Sequence, residues 1–225
     1  MIIDTHCHFD MMASPEKYIR EVEFRGDYVI GMTNLPSHFE MGFEHTRNYK
    51  HVRLSLGFHP QLAAYNQNEL QRFIDLIDRT SYIGEIGLDF SRDYIGSKEI
   101  QISSIRSILS ALRGKKKIVS IHSRRAEIDV FKLLCEYGIK NAIFHWYSGP
   151  VSLISQIAEK GYYFSINEAM TLSENGRKII SAIPQNRVLA ETDAPYNRKC
   201  NLNKVYDYFG SKVINDNFNA LIKEL

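Results

Sequence analysis

Cysteine is scarce in this 225-residue chain: three residues, Cys7, Cys135 and Cys200, far apart in sequence. An odd, scattered set does not make a disulfide framework and points to reduced thiols in a cytoplasmic protein. Long apolar runs are missing as well, none approaching the roughly 20 residues that span a bilayer. Where a signal peptide would need an apolar stretch, Asp4, His6 and His8 intervene, so neither a membrane span nor secretion is expected. The 6 prolines and 13 glycines form no linker or low-complexity tract, and residues 1–225 read as one domain. Excess charge is also lacking: 28 basic residues against 26 acidic ones leave a net +2, which neither announces nor excludes a nucleic-acid partner. The one basic run, Arg113 with Lys115, Lys116 and Lys117, precedes a strand, so it should lie opposite that strand's carboxyl end as a solvated turn.

What the chain does have is histidine at strand ends. It opens Asp4-Thr5-His6-Cys7-His8, and in a strand that spacing aims His6 and His8 to one side and Cys7 to the other. Five of the 8 histidines directly follow short apolar runs: His6, His8, His59 in LSLGFHP, His122 in KIVSIHS and His145 in NAIFHWY. Glu85 in YIGEIGLDF, and Glu191 and Asp193 in RVLAETDAP, share that setting. Surface histidines would not be confined to strand ends. His38, His45 and His51 fall in polar or helical surroundings and read as structural.

Periodicity predicts strands over about 1–6, 28–33, 52–58, 82–87, 117–122, 141–146, 162–167 and 187–193, with helical patterns such as 69–77 and 99–112 between them. Eight strands alternating with helices fit a (β/α)8 TIM barrel, with a doubly wound open sheet as the main alternative. The placement of the polar residues favours the barrel. Only a closed barrel brings the ends of the first, fourth, fifth, sixth and eighth strands to one mouth.

Six candidate ligands, His6, His8, Glu85, His122, His145 and Asp193, are too many for one catalytic ion that must keep an open position, and about right for two. Nitrogen and oxygen donors without thiolate indicate divalent Zn, Mn or Mg, the imidazoles arguing against Mg alone. A carboxylate such as Glu85 can bridge two ions at the spacing used for displacement at phosphorus or carbonyl carbon.

The segments IDTHCHFD, LGFHP, IGEIGLDF, IHSR, FHWYSG and ETDAP, in order from residue 3 to 195, resemble the motif set of the TatD family of metal-dependent hydrolases in the amidohydrolase superfamily. The resemblance implies a TIM barrel and metal-dependent hydrolysis of DNA phosphodiesters, often as a 3′ to 5′ exonuclease. It implies one ion on His6, His8, Glu85 and Asp193 and another on Glu85, His122 and His145. It makes Asp193 the candidate to orient or deprotonate the water, and His59 a phosphate contact or aid to the leaving oxygen, against simple packing on Pro60. Arg124 matches the arginine of the HSR motif, a phosphate contact unless a salt bridge to Asp89 or Glu127 claims it. Arg125 stands where the family usually has an acid, on a face where it could track a nucleic-acid backbone. Trp146 and Tyr147 offer a stacking surface for a base, and Asn167 is placed to bond a ligand's supporting group or the substrate. The stretch after ETDAP is shorter than is common in the family, which implies a more open cleft.

The segments MTNLPSHFEMG, IHSRRAE, FHWYSG and FSINEAM further resemble the TatD-type component of the Qat anti-phage defence group. That resemblance implies a bacterial cytoplasm and other Qat proteins as partners. Two rivals remain at the level of sequence: a small-molecule amide or ester hydrolase of the same superfamily, and a subunit that keeps the metal site for binding alone. The first rival commonly bridges its metals with a carbamylated lysine, and no lysine ends the fourth or fifth strand here.

Overall fold

The computed structural model describes residues 1–225. Nine parallel strand segments form the wall: β1 Ile3–Cys7, β2 Tyr28–Gly31, β3 Val52–Leu54, β4 Leu56–Phe58, β5 Tyr82–Gly87, β6 Ile118–His122, β7 Asn141–His145, β8 Tyr163–Ile166 and β9 Val188–Ala190. The helices are α1 Pro15–Arg25, α2 Pro36–Thr46, α3 Leu70–Leu76, α4 Lys98–Leu112, α5 Glu127–Tyr137, α6 Val151–Glu159, α7 Glu168–Leu172, α8 Glu174–Ala182, α9 Leu202–Phe209 and α10 Ser211–Ile222. Strands β1 to β3 pair in order, as do β4 to β9. Backbone bonds join the two groups on both sides. Ser55 N donates to Gly31 O at 2.8 Å and Glu85 N to Thr33 O at 3.2 Å, while Asp193 N donates to His6 O at 2.9 Å and His8 N to Ala194 O at 2.7 Å. The circuit is that of a (β/α)8 barrel.

The strand expected over 52–58 is broken at Ser55, with β3 pairing to β2 and β4 to β5. Gly57 permits this crossing, because a Cβ there would strike the Thr33 carbonyl. The basic run lies at the amino end of β6, as expected, where Lys115 pairs with Asp78 at 2.7 Å and Lys117 donates to Thr80 O at 2.6 Å.

Two apolar layers follow from period-2 alternation. Outward side chains pack under the helices in one large core, whereas Ile3, Ile30, Tyr82, Ile118, Ile143 and Leu189 fill the lower barrel. Phe218 and Leu221 of α10 close this interior layer from the amino-terminal end, each no more than 2% exposed. Strict alternation could not send both Ile3 and His6 inward. A register irregularity in β1 between Asp4 and Cys7, and another in β5 between Ile83 and Ile86, re-aims the ligand-bearing ends. No helix is long and apolar enough to cross a membrane.

Phe218→Ala should destabilise the fold by about 3 to 5 kcal/mol, the usual cost of an aromatic cavity, measured by urea unfolding. A loss under about 1 kcal/mol would mean that α10 is not needed to close the barrel.

Candidate metal centre

The carboxyl ends of β1, β5, β6 and β7 and the turn after β9 bring together His6, His8, Glu85, His122, His145 and Asp193, all but the fully buried His6 lining one cavity of about 780 Å³. Glu85, only 2% exposed, is the hub. Its Oε2 lies 3.5, 3.2 and 3.4 Å from the Nε2 atoms of His6, His8 and His59. Its Oε1 lies 2.6 Å from His122 Nδ1 and 2.9 Å from His145 Nε2. Each carboxylate oxygen therefore faces its own set of imidazoles.

The donor atoms fit a divalent ion. A tetrahedral ion with bonds of about 2.0 to 2.2 Å needs donors about 3.3 to 3.6 Å apart. His6 Nε2 and His8 Nε2 are 3.3 Å apart, and Asp193 Oδ1 is 3.7 and 3.8 Å from them. With Glu85 Oε2, these atoms outline one cage. His8 Nδ1 and His145 Nδ1 are buried beyond hydrogen-bond distance of any protein group, the latter 3.6 Å from Glu191 Oε1. No thiolate intrudes, since Cys7 points away toward Tyr18 OH at 3.6 Å.

Burial pushes the Asp193 carboxyl up to about 7. Burial opposes charge on Glu85 too, but the facing imidazoles, His59 first, hold it well below the usual carboxylate range. Burial, then His145, keeps His6 well below the ordinary imidazole value, in the neutral form a metal requires.

Around the donors stands a set of orienting partners. Ser120 Oγ is 2.8 Å from His6 Nδ1, so a proton on Nδ1 is matched there and Nε2 keeps its lone pair. Asp89 Oδ2 faces His122 Nε2 at 3.0 Å and accepts from Gln61 Nε2 at 2.8 Å. Glu191, fully buried, accepts from Ser165 Oγ, from Asn167 Nδ2 at 3.0 Å and from Trp146 N at 3.1 Å, and its Oε1 lies 3.6 Å from His145 Nδ1. Asp4 accepts from Thr192 Oγ1 at 2.6 Å and Thr192 N at 3.0 Å, tying the His6 strand to the Asp193 turn. Arg125, Trp146 and Asp193, at φ 57°, 37° and 53°, are the non-glycine residues with left-handed backbone. All three follow strand ends at the mouth, where such strain is commonly held by function.

The sequence-predicted residues separate into three groups. The six candidate ligands meet. His59 joins them rather than merely packing on Pro60, and it groups with Glu85 and His122 as a further possible donor. Arg124 and Trp146 line the cavity, and neither Asp89 nor Glu127 claims Arg124, because Asp89 serves His122 and Gln61 while Glu127 accepts from Ser148 at 3.4 Å. Away from the cavity lie Arg125, exposed beyond its rim, and Asn167, fully buried behind Glu191 and also capping Met170 N at 3.1 Å. Tyr147 is 1% exposed with its hydroxyl on Pro150 O, so it is core and not a stacking surface. His38, read from sequence as structural, lines the cavity together with Asn34, Gln61 and Tyr196. A signal for Tyr196 was its position directly after ETDAP; His38, on a helix, gave none.

Glu191→Gln should weaken divalent-ion affinity by about 10 to 100-fold, the usual cost of losing a partner of a ligating histidine, measured by competition with a chromophoric chelator. Unchanged affinity would leave Glu191 a purely structural carboxylate.

Comparison with known proteins agrees with this geometry. A crystal structure of YJJV, a TatD homologue from Escherichia coli, superposes with a TM-score of 0.81 over 99% of this chain and 95% of that one, at 22% identity, which shows the shared fold. An uncharacterized metal-dependent hydrolase of Methanocaldococcus jannaschii is 26% identical over 86% of this chain and 78% of its own length. Deoxyribonuclease TATDN3 of Homo sapiens is 25% identical over 86% of this chain and 78% of its own length. The sequence profile described as TatD related DNase matches residues 3–217. A barrel whose mouth gathers these imidazoles around one carboxylate, matched by that profile across nearly its whole length, belongs to the TatD related DNase family of metal-dependent hydrolases.

Proposed function

We propose that the chain hydrolyses DNA phosphodiester bonds with two divalent ions, Mg, Mn or Zn, one held by His6, His8, Glu85 and Asp193 and the other by Glu85, His122 and His145. The observation that carries this reading is the division of the Glu85 oxygens between two imidazole sets, 3.2 to 3.5 Å on one side and 2.6 to 2.9 Å on the other. The relatives named deoxyribonucleases support the choice of substrate. Bound there, the ions would lower the pKa of a water and neutralise charge on the phosphate.

The chain's own groups supply the rest. Asp193, at the cage and 7% exposed, orients the attacking water and takes its proton. His59, its Nδ1 engaged by Gln61 N at 3.3 Å, turns Nε2 toward the cage to hold the phosphate or an ion. Arg124, with no carboxylate partner, meets a non-bridging phosphate oxygen. Trp146 stacks on a base, and Arg125 outside the rim follows the backbone of a longer strand. Asn167 works through Glu191. The absence of lysine at the ends of β5 and β6 favours this reading over a small-molecule amidase or esterase.

The finer reading is exonucleolytic action in a bacterial cytoplasm, with other Qat proteins as partners in anti-phage defence. Its support is the likeness of MTNLPSHFEMG, IHSRRAE, FHWYSG and FSINEAM to that group.

Metal-stripped protein given back Mg, Mn or Zn separately should shorten end-labelled single- or double-stranded DNA from one end. Cleavage of neither by a protein that binds two ions would contradict the assignment and favour a small-molecule substrate or a binding subunit.

A further inference from the structure

Hydrolysis of a phosphodiester needs a second proton transfer, to the departing oxygen, and the cavity holds few groups able to make it. Of its imidazoles, His8, His59, His122 and His145 all lie within 3.4 Å of a Glu85 oxygen. Asp193 is assigned to the water. Arg124 keeps its proton under all ordinary conditions. Tyr196 is a poor acid, because burial raises its phenol further, and its oxygen accepts from Asn34 Nδ2 at 3.0 Å. His38 remains.

His38 is half-buried in the first turn of α2 and lines the cavity, as do Met11, Asn34 and Tyr196. Tyr196 sets its ring edge-on against His8 with centroids 4.9 Å apart, so Tyr196 adjoins the cage. Unlike the other cavity histidines, His38 has no carboxylate within ion-pair distance and neither ring nitrogen engaged by the protein. Next to the cavity-lining Met11, Asp10 keeps Oδ1 buried without a hydrogen-bond partner.

We propose that His38 is the catalytic acid that protonates the leaving oxygen, a role that rests on the phosphodiesterase reading above. As the P–O bond to the leaving group breaks, its electron pair goes to that oxygen, which takes the proton from the His38 imidazolium and departs as an alcohol. The water oxygen forms the new bond to phosphorus, and its proton goes to Asp193. Solvent returns the imidazole to its protonated form. An imidazole suits the task, being the side chain that exchanges a proton near neutral pH.

The test compares His38→Gln and His38→Ala with wild type on an oligonucleotide, whose leaving group is an alkoxide, and on thymidine p-nitrophenyl phosphate, whose leaving group needs no proton. General acid catalysis is typically worth about 10²-fold to 10⁴-fold, so the oligonucleotide-to-nitrophenyl rate ratio should fall by about 100-fold or more in both variants. A ratio shifted by less than about threefold, well short of that range, would overturn the proposal. A drop in divalent-ion affinity, read by chelator competition, would make His38 a support of the cage and overturn it as well. Failure of wild type on both substrates with every metal would instead overturn the phosphodiesterase reading, and it appears before any variant is compared.

Discussion

A carboxylate buried in the mouth of a barrel and ringed by five imidazoles is the constraint on which the rest depends. Glu85 loses its hydration by burial and recovers favourable interactions only from His6, His8, His59, His122 and His145, all within 3.5 Å of its oxygens. A hydrogen bond alone does not account for the arrangement. Two imidazole Nε2 atoms 3.3 Å apart, with a second carboxylate 3.7 and 3.8 Å away, mark a space sized for a cation.

Much of the wall serves to hold that carboxylate and its partners in register. Gly84 at φ 150° lies against Met32 and Ser120, and a methyl group there would come within 2.8 and 2.9 Å of them. Only glycine lets β5 approach so closely just before Glu85. Across the barrel, Asp4 joins residues 188 positions apart through Thr192. Closing the circuit and completing the cage are thus one event, since the bond that seals β1 to the β9 turn also sets His6 against Asp193. Burial raises the Asp4 carboxyl to about 7 even though its bonds to Thr192 pull the other way.

Sequence made the barrel legible because its strands are short, buried and regularly spaced, and because their polar residues cluster at carboxyl ends. The six ligand candidates were visible for the same reason: a histidine after an apolar run has one place to go. The irregularities in β1 and β5 were not visible, since a bulge leaves no composition signal and changes only which way residues such as His6 and Ile3 point. Nor was the split at Ser55, which depends on Gly57 meeting Thr33 from another strand. Tyr147 and Trp146 are adjacent and alike in composition, yet left-handed backbone at Trp146 leaves one ring at the cavity and the other in the core. His38 was missed because a helix gives no cue to which of its faces borders a cavity built by other strands.

The most direct test is the number of divalent ions bound by wild type and by Glu85→Ala, counted by elemental analysis after equilibrium dialysis against Mn or Zn. If one carboxylate joins two sites, wild type holds two ions per chain and the variant loses both together while remaining folded. Two ions retained by the variant, or a single ion in wild type, would show that Glu85 is not the shared centre.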